Sequence, residues 1–93
     1  MNRLVLTAQL LERGTLRYTP AGLPALDLSL KHESQVTQDG QPRQVWFDIR
    51  ARAIGAITQR VAALELGGTH SFAGFLGSAL NGRGVVFHVT ELG

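Results

Sequence analysis

An indole and several guanidinium groups crowd into one short segment, "RQVWFDIRAR", running from Arg43 to Arg52. With the two-residue period of a strand, Val45, Phe47, Ile49 and Ala51 fall on one face, and Gln44, Trp46, Asp48, Arg50 and Arg52 on the other. The chain's one tryptophan is thereby directed toward solvent. An exposed indole is a platform on which any nucleobase can stack, worth about 1 to 3 kcal/mol per base, while nearby cations follow the phosphate chain. Arg43, Arg50 and Arg52 are candidates for the phosphate contacts, and Lys31 points outward from the preceding strand. Arg17 and Tyr18 repeat the pairing of cation with aromatic just before a Pro- and Gly-containing loop.

Each of these residues has a plainer reading. Trp46 could cover an apolar patch at a subunit contact, where tryptophan is enriched. The arginines could form a solvated strand face partly neutralised by Asp48. Tyr18 could pack beneath the loop that follows it. Residue types alone leave these alternatives open.

Catalytic chemistry finds little support. His32, His70 and His88 lie far apart without the spacing of metal ligands, and a structural role is expected for each. There is no phosphate-binding glycine loop with its lysine, no nucleophile elbow and no paired-carboxylate signature. "NGRG" reads as a turn. A binding module is expected, with no enzyme activity, no cofactor and no metal.

With 93 residues the chain has room for one hydrophobic core, so one domain over residues 1–93 is expected. A composition 44% hydrophobic and 17% charged is that of a globular protein. The absence of cysteine excludes a disulfide framework and thiolate metal sites. No export signal or long apolar run is visible, so a cytoplasmic location is expected. The formal net charge is only +2, yet eight of the nine cations are arginine, the side chain suited to phosphate and base contacts.

The elements that must position these residues follow from periodicity. "RLVLTAQLL" alternates Leu4, Leu6, Ala8 and Leu10 against Arg3, Val5, Thr7 and Gln9, a strand whose second face is partly apolar and open to an interface. A kink at Glu12-Arg13-Gly14 and a loop with Pro20, Gly22 and Pro24 follow. "ALDLSLKHE" sends Leu26, Leu28 and Leu30 inward and Asp27, Ser29 and Lys31 outward. Asp39-Gly40 then predicts a tight reversal into the strand of Trp46, making a long antiparallel hairpin. The spacing of Ile54, Ile57, Val61 and Leu64 predicts a helix over about residues 55 to 65, ended by Gly67-Gly68. Two last strands flank a turn at Asn81-Gly82. In the second of them, Val85, Phe87 and Val89 compete with Val86, His88 and Leu92 for the inward face. Five strands with one helix between the third and fourth is the order of an OB-fold. The predicted class is therefore all-β with one short helix, a five-stranded Greek-key barrel whose groove binds oligonucleotides or oligosaccharides.

Several segments resemble one family in order along nearly the whole chain: "NRLVL" at Asn2 to Leu6, "GLP" at Gly22 to Pro24, "RQVW" at Arg43 to Trp46, "NG" at Asn81-Gly82 and "VFH" at Val86 to His88. That family is primosomal replication protein N, PriB, a group of small bacterial relatives of single-stranded DNA-binding proteins. The resemblance implies a homodimeric OB-fold that binds single-stranded DNA and assists replication restart by joining the helicase PriA and DnaT. It implies a binding surface containing Arg43, Trp46 and Arg17, and an apolar first-strand face, including Val5, fits dimerisation. The loop "SALNGRG" is shorter than is typical of the family and offers only Arg83, and Glu33 stands where a cation is expected. Fewer cations imply a shallower salt dependence. General single-strand-binding proteins resemble one another in a long tail with an acidic end, whereas this sequence closes at Glu91-Leu92-Gly93. A competing reading is an OB-fold adaptor that binds protein through the same face and has little affinity for DNA.

Overall fold

The computed structural model describes residues 1–93. The elements are β1 (Leu4–Arg13), β2 (Arg17–Tyr18), β3 (Pro24–Gln38), β4 (Gln41–Ile54), α1 (Ile57–Ala62), β5 (Thr69–Ser78) and β6 (Val85–Leu92). β1 pairs with both β3 and β5, β5 with β6, β6 with β4, and β4 with β3, so the five long strands close into a ring. The β4–β6 contact is the single parallel one. This is the OB-fold barrel, with the helix between the third and fourth long strands.

Apolar alternation explains what lies inside. Leu6, Ala8 and Leu10 from β1, Leu26, Leu28 and Leu30 from β3, Ala51 and Ala53 from β4, Phe72 from β5, and Phe87 and Val89 from β6 form one core with Val61 of α1. Both competing sets in the last strand are split: Phe87 and Val89 enter the core and Val86 is also buried, with Leu92 packed against the core, while Val85 is exposed and His88 is half-buried.

β1 reaches two partners by bending. Its register against β3 shifts between Leu10 and Glu12, an irregularity that lets residues 4–9 follow β5 and residues 9–13 follow β3. The kink predicted at residues 12–14 therefore occurs earlier, at Leu11, and the strand continues to Arg13. The loop predicted after it contains the two-residue β2, paired with the start of β3.

The helix is shorter than its periodicity predicts. Ile54 closes β4, and regular helix ends at Ala62. Beyond it the Arg13 guanidinium donates to the carbonyls of Leu64 (2.7 Å) and Val61 (3.4 Å), satisfying end groups that further turns would otherwise use. Gly67 and Gly68 are then tied to the backbone of Leu10. Ile57 and Leu64 still pack on the core, so the apolar spacing reflects burial that outlasts the helix.

The reversal at Asp39-Gly40 forms as predicted, with positive φ at both residues (50° and 72°) as a two-residue hairpin turn requires. The hairpin keeps continuous register from Ala25 opposite Ile54 to Gln38 opposite Gln41. β1 accompanies β3 only to Lys31, and β6 accompanies β4 only at Ala51 to Ala53. The distal hairpin therefore projects as a two-stranded arm, which accounts for a long axis of 49 Å against 30 and 21 Å.

Closure depends on Gly74, where β5 shifts register against β6. A Cβ there would collide with the His88 carbonyl and lie 3.1 Å from the Thr90 nitrogen, both backbone groups that cannot swing aside. Gly74→Ala is expected to cost about 3 kcal/mol or more in urea denaturation, because relief requires separating β5 from β6. A variant as stable as the parent would show that the strands do not approach this closely.

Candidate nucleic-acid interface

Cross-strand pairing assigns each side chain of the hairpin to a face. Asp27 opposite Arg52, Ser29 opposite Arg50, Lys31 opposite Asp48 and Glu33 opposite Trp46 share one face. Leu28 opposite Ala51 and Leu30 opposite Ile49 share the other, which enters the core. The first face is therefore the outer wall of the barrel. Trp46 stands on it 68% exposed, where the arm leaves the barrel. Arg50, four residues along β4, lies about 13 Å away at ordinary strand rise.

Arg43 does not join them. Its partner is Val36, and its odd position puts it with Val45 and Phe47 on the face opposite Trp46. The sequence reading grouped the two by proximity; strand alternation separates them. Tyr18 is 66% exposed beside the loop and does not pack beneath it.

Below Trp46 the outer wall meets the turn between β5 and β6 in an open groove of about 720 Å³, whose lining includes Asp27, Ser29, Arg50, Arg52, Asn81 and Arg83. The turn is held by its own chain: the Asn81 side-chain oxygen accepts from the Arg83 N–H at 2.9 Å, and Gly82 N–H donates to the Ala79 carbonyl. Arg83 is thus brought to the same groove as Arg50 and Arg52 from a distant part of the sequence.

The cations in and around this groove differ in what they already hold, and Arg13, also in the lining, is engaged with the Val61 and Leu64 carbonyls. Arg50 and Arg83, like Arg43 on the other face, take part in none of the four ion pairs. Arg17 and Arg52 converge on one carboxylate. An Arg17 Nη donates to both Asp27 oxygens at 3.2 and 3.0 Å, and Arg52 Nε donates to Oδ1 at 2.9 Å. Lys31 Nζ lies 3.4 Å from Glu33. Partial burial would push the Asp27 carboxyl up, but the hydrogen bonds and charges of Arg52 and Arg17 together outweigh it and hold the group below its ordinary value of 3.8.

Sequence reasoning missed Asp27 and the pair Phe75 and His88. Phe75 lies opposite His88 across β5 and β6, with ring centroids 4.7 Å apart, and Arg52 is the β4 partner of His88. Burial, and next the Arg52 charge, lower the His88 pKa from its ordinary 6.5. The other histidines are structural neighbours of strands. His32 Nδ1 donates to the Thr7 carbonyl at 2.7 Å and its ring lies against Phe47, while His70 meets Phe72 edge-on.

β1 has a second feature of interest. From Leu4 to Ala8 it pairs with β5 on one side and with no strand on the other, and Val5 on this stretch is 60% exposed. No helix is long and apolar enough to cross a membrane.

The outward indole stands above an arginine-lined groove on an OB barrel. A family model described as "Another single-strand binding protein family" matches residues 2–91. The replication restart protein PriB of Bordetella pertussis is 48% identical over 79 residues, covering 85% of this chain and 74% of that protein. The solved structure of PriB from Ralstonia solanacearum superposes with a TM-score of 0.90 at 35% identity, covering 100% of this chain and 96% of that one. The wild-type single-stranded DNA-binding protein of Thermus aquaticus gives a TM-score of 0.75 at 28% identity, covering 100% of this chain and 49% of the other. The chain belongs to the PriB family of replication restart proteins, within the wider single-strand-binding fold.

The two shifted groups predict an acid-sensitive fold. Each has a folded pKa below its unfolded one, so the unfolded chain binds more protons and stability rises with pH through each window. On acidification the melting temperature is expected to fall first as pH drops below 6.5, where His88 is involved, and again below about 3.8, where Asp27 is involved. Calorimetry of wild type and His88→Gln checks the first step. A slope between pH 7 and 5 that His88→Gln leaves unaltered would assign it to another group.

Proposed function

We propose that this chain is a single-stranded DNA-binding accessory protein of bacterial replication restart, acting in the cytoplasm. The observation that carries the reading is the outward, 68% exposed Trp46 on the wall that continues into the groove of Arg50 and Arg83. Bases stack on the indole, and phosphates meet the unpaired arginines. Lys31, Arg17, Arg52 and Tyr18 flank this path, and Arg43 serves the opposite face of the arm.

Family membership supports a homodimer that links DNA to the helicase PriA and to DnaT. The open edge of β1 with Val5 beside it is the surface proposed for the dimer contact. The competing reading, a protein-only adaptor, draws support from Asp27 and Glu33, which neutralise part of the basic face.

Titrating a thymine oligonucleotide is expected to quench Trp46 fluorescence to saturation, with weaker response to duplex. By anisotropy of a labelled strand, Trp46→Ala is expected to lose about fivefold to 150-fold in affinity, from a stacking loss of about 1 to 3 kcal/mol, with unchanged melting. Arg50→Ala and Arg83→Ala should each flatten the dependence of log K on log salt by about 0.7. Failure of wild type to bind at low salt would favour the adaptor.

Light scattering is expected to give the mass of two chains, and Val5→Arg to move it toward one. A wild-type mass of one chain at micromolar concentration would contradict the dimer.

A further inference from the structure

Asp27 is a point of electrostatic conflict on the outer wall. It stands in the groove proposed to accept a phosphate chain, yet it carries the same charge as a phosphate. Its two oxygens take three hydrogen bonds from Arg17 and Arg52. A carboxylate and a phosphodiester are both singly charged acceptors with two exposed oxygens, and a guanidinium fork suits either. The Asp27 and Arg17 side chains are about half exposed (52% and 47%), so a strand in the groove can reach the same donors.

We propose that Asp27 acts as an internal competitor for the DNA backbone, a carboxylate that occupies Arg17 and Arg52 in the free protein and lowers affinity for single strands. The inference rests on the single-strand-binding reading above. Two arginines sharing one carboxylate present one net positive charge where two would otherwise face the strand. The Arg17 pair is exposed and weak, so an incoming phosphate can displace it without unfolding the wall, while Arg52, its side chain only 22% exposed, offers its remaining donors in place. Arg52 commits its Nε to Asp27, and Arg17 a single terminal nitrogen, so each keeps further donors while it is held. The residue thereby sets how many cations the groove offers, and with them the salt range in which it binds.

The opposite role is physically distinct: Asp27 could hold the two arginines in a productive pose, in which case its removal would weaken binding. Asp27→Asn separates the two, since the amide oxygen can still accept from Arg52 Nε while the charge is gone. Asp48→Asn is the control. Asp48 lies on the same face opposite Lys31, makes none of the ion pairs, and its removal changes net charge equally.

Anisotropy titrations of a labelled thymine oligonucleotide at several salt concentrations read the outcome, with thermal melts to verify folding. Asp27→Asn is expected to bind about tenfold tighter at low salt, with a log K against log salt slope steeper by about 0.7, the contribution of the one further positive charge that the groove then presents. Asp48→Asn should change affinity less than threefold. Equal gains in both variants would reduce the effect to net charge and overturn the competitor role, as would unchanged or weaker binding by Asp27→Asn. Absence of binding by wild type and both variants would instead overturn the single-strand reading, and this inference with it.

Discussion

Every pairing between β3 and β4 descends from the turn at Asp39 and Gly40. Two residues with positive φ allow a connection with no slack, so Gln38 must face Gln41 and each successive pair is fixed in turn. A slip of one residue on either strand would send Leu28 and Leu30 outward and carry Asp27 and Lys31 into the core, a change that the buried side cannot tolerate. The position of Trp46 on the outer wall, the apposition of Asp27 and Arg52, and the separation of Arg43 from the indole all follow from this one register.

The resulting site is less basic than its arginine content suggests. Asp27 and Glu33 are placed by the same alternation that places the cations, so neutralisation is part of the wall. What remains unpaired is Arg50 on the strand and Arg83 on the turn, brought together by the barrel closing through β6. The helix contributes to this only indirectly: with Arg13 and the ties to Leu10 it seals one end of the core, leaving the outer wall to the strands.

Much of this was legible in the chain itself. Alternation in "ALDLSLK" and in "VWFDIRA" identified the inward leucines and the outward tryptophan, because a half-buried strand writes its faces directly into the residue order. Alternation also separates Arg43 from Trp46, and grouping them by nearness along the chain ignored it. The Asp27–Arg52 contact was obscured for a different reason. It joins residues far apart in sequence and emerges only when the hairpin is counted back from its turn, where the residue numbers in every pair add up to one constant. Two features lay beyond local pattern. The helix end is held by Arg13, from a distant strand, which donates to the carbonyls of Val61 and Leu64 at and just beyond it, and the facing of β6 is decided by Phe87 and Val89 filling a core that no single strand defines. The groove itself depends on the turn of residues 79–84 arriving beside β3 and β4, which is a property of barrel closure.

The arm beyond Lys31 and Ala51 has only its own two strands to hold its amides. In the barrel, releasing a backbone hydrogen exposes the shared core and approaches the free energy of global unfolding. In the arm it requires separation of a ribbon that buries little apolar surface. Solvent exchange should therefore divide the hairpin into a fast distal half and a slow proximal half within the same two strands. Trp46 sits near that boundary, so a strand stacked on it would bridge segments of unequal local stability and slow exchange most where the free protein holds itself together least.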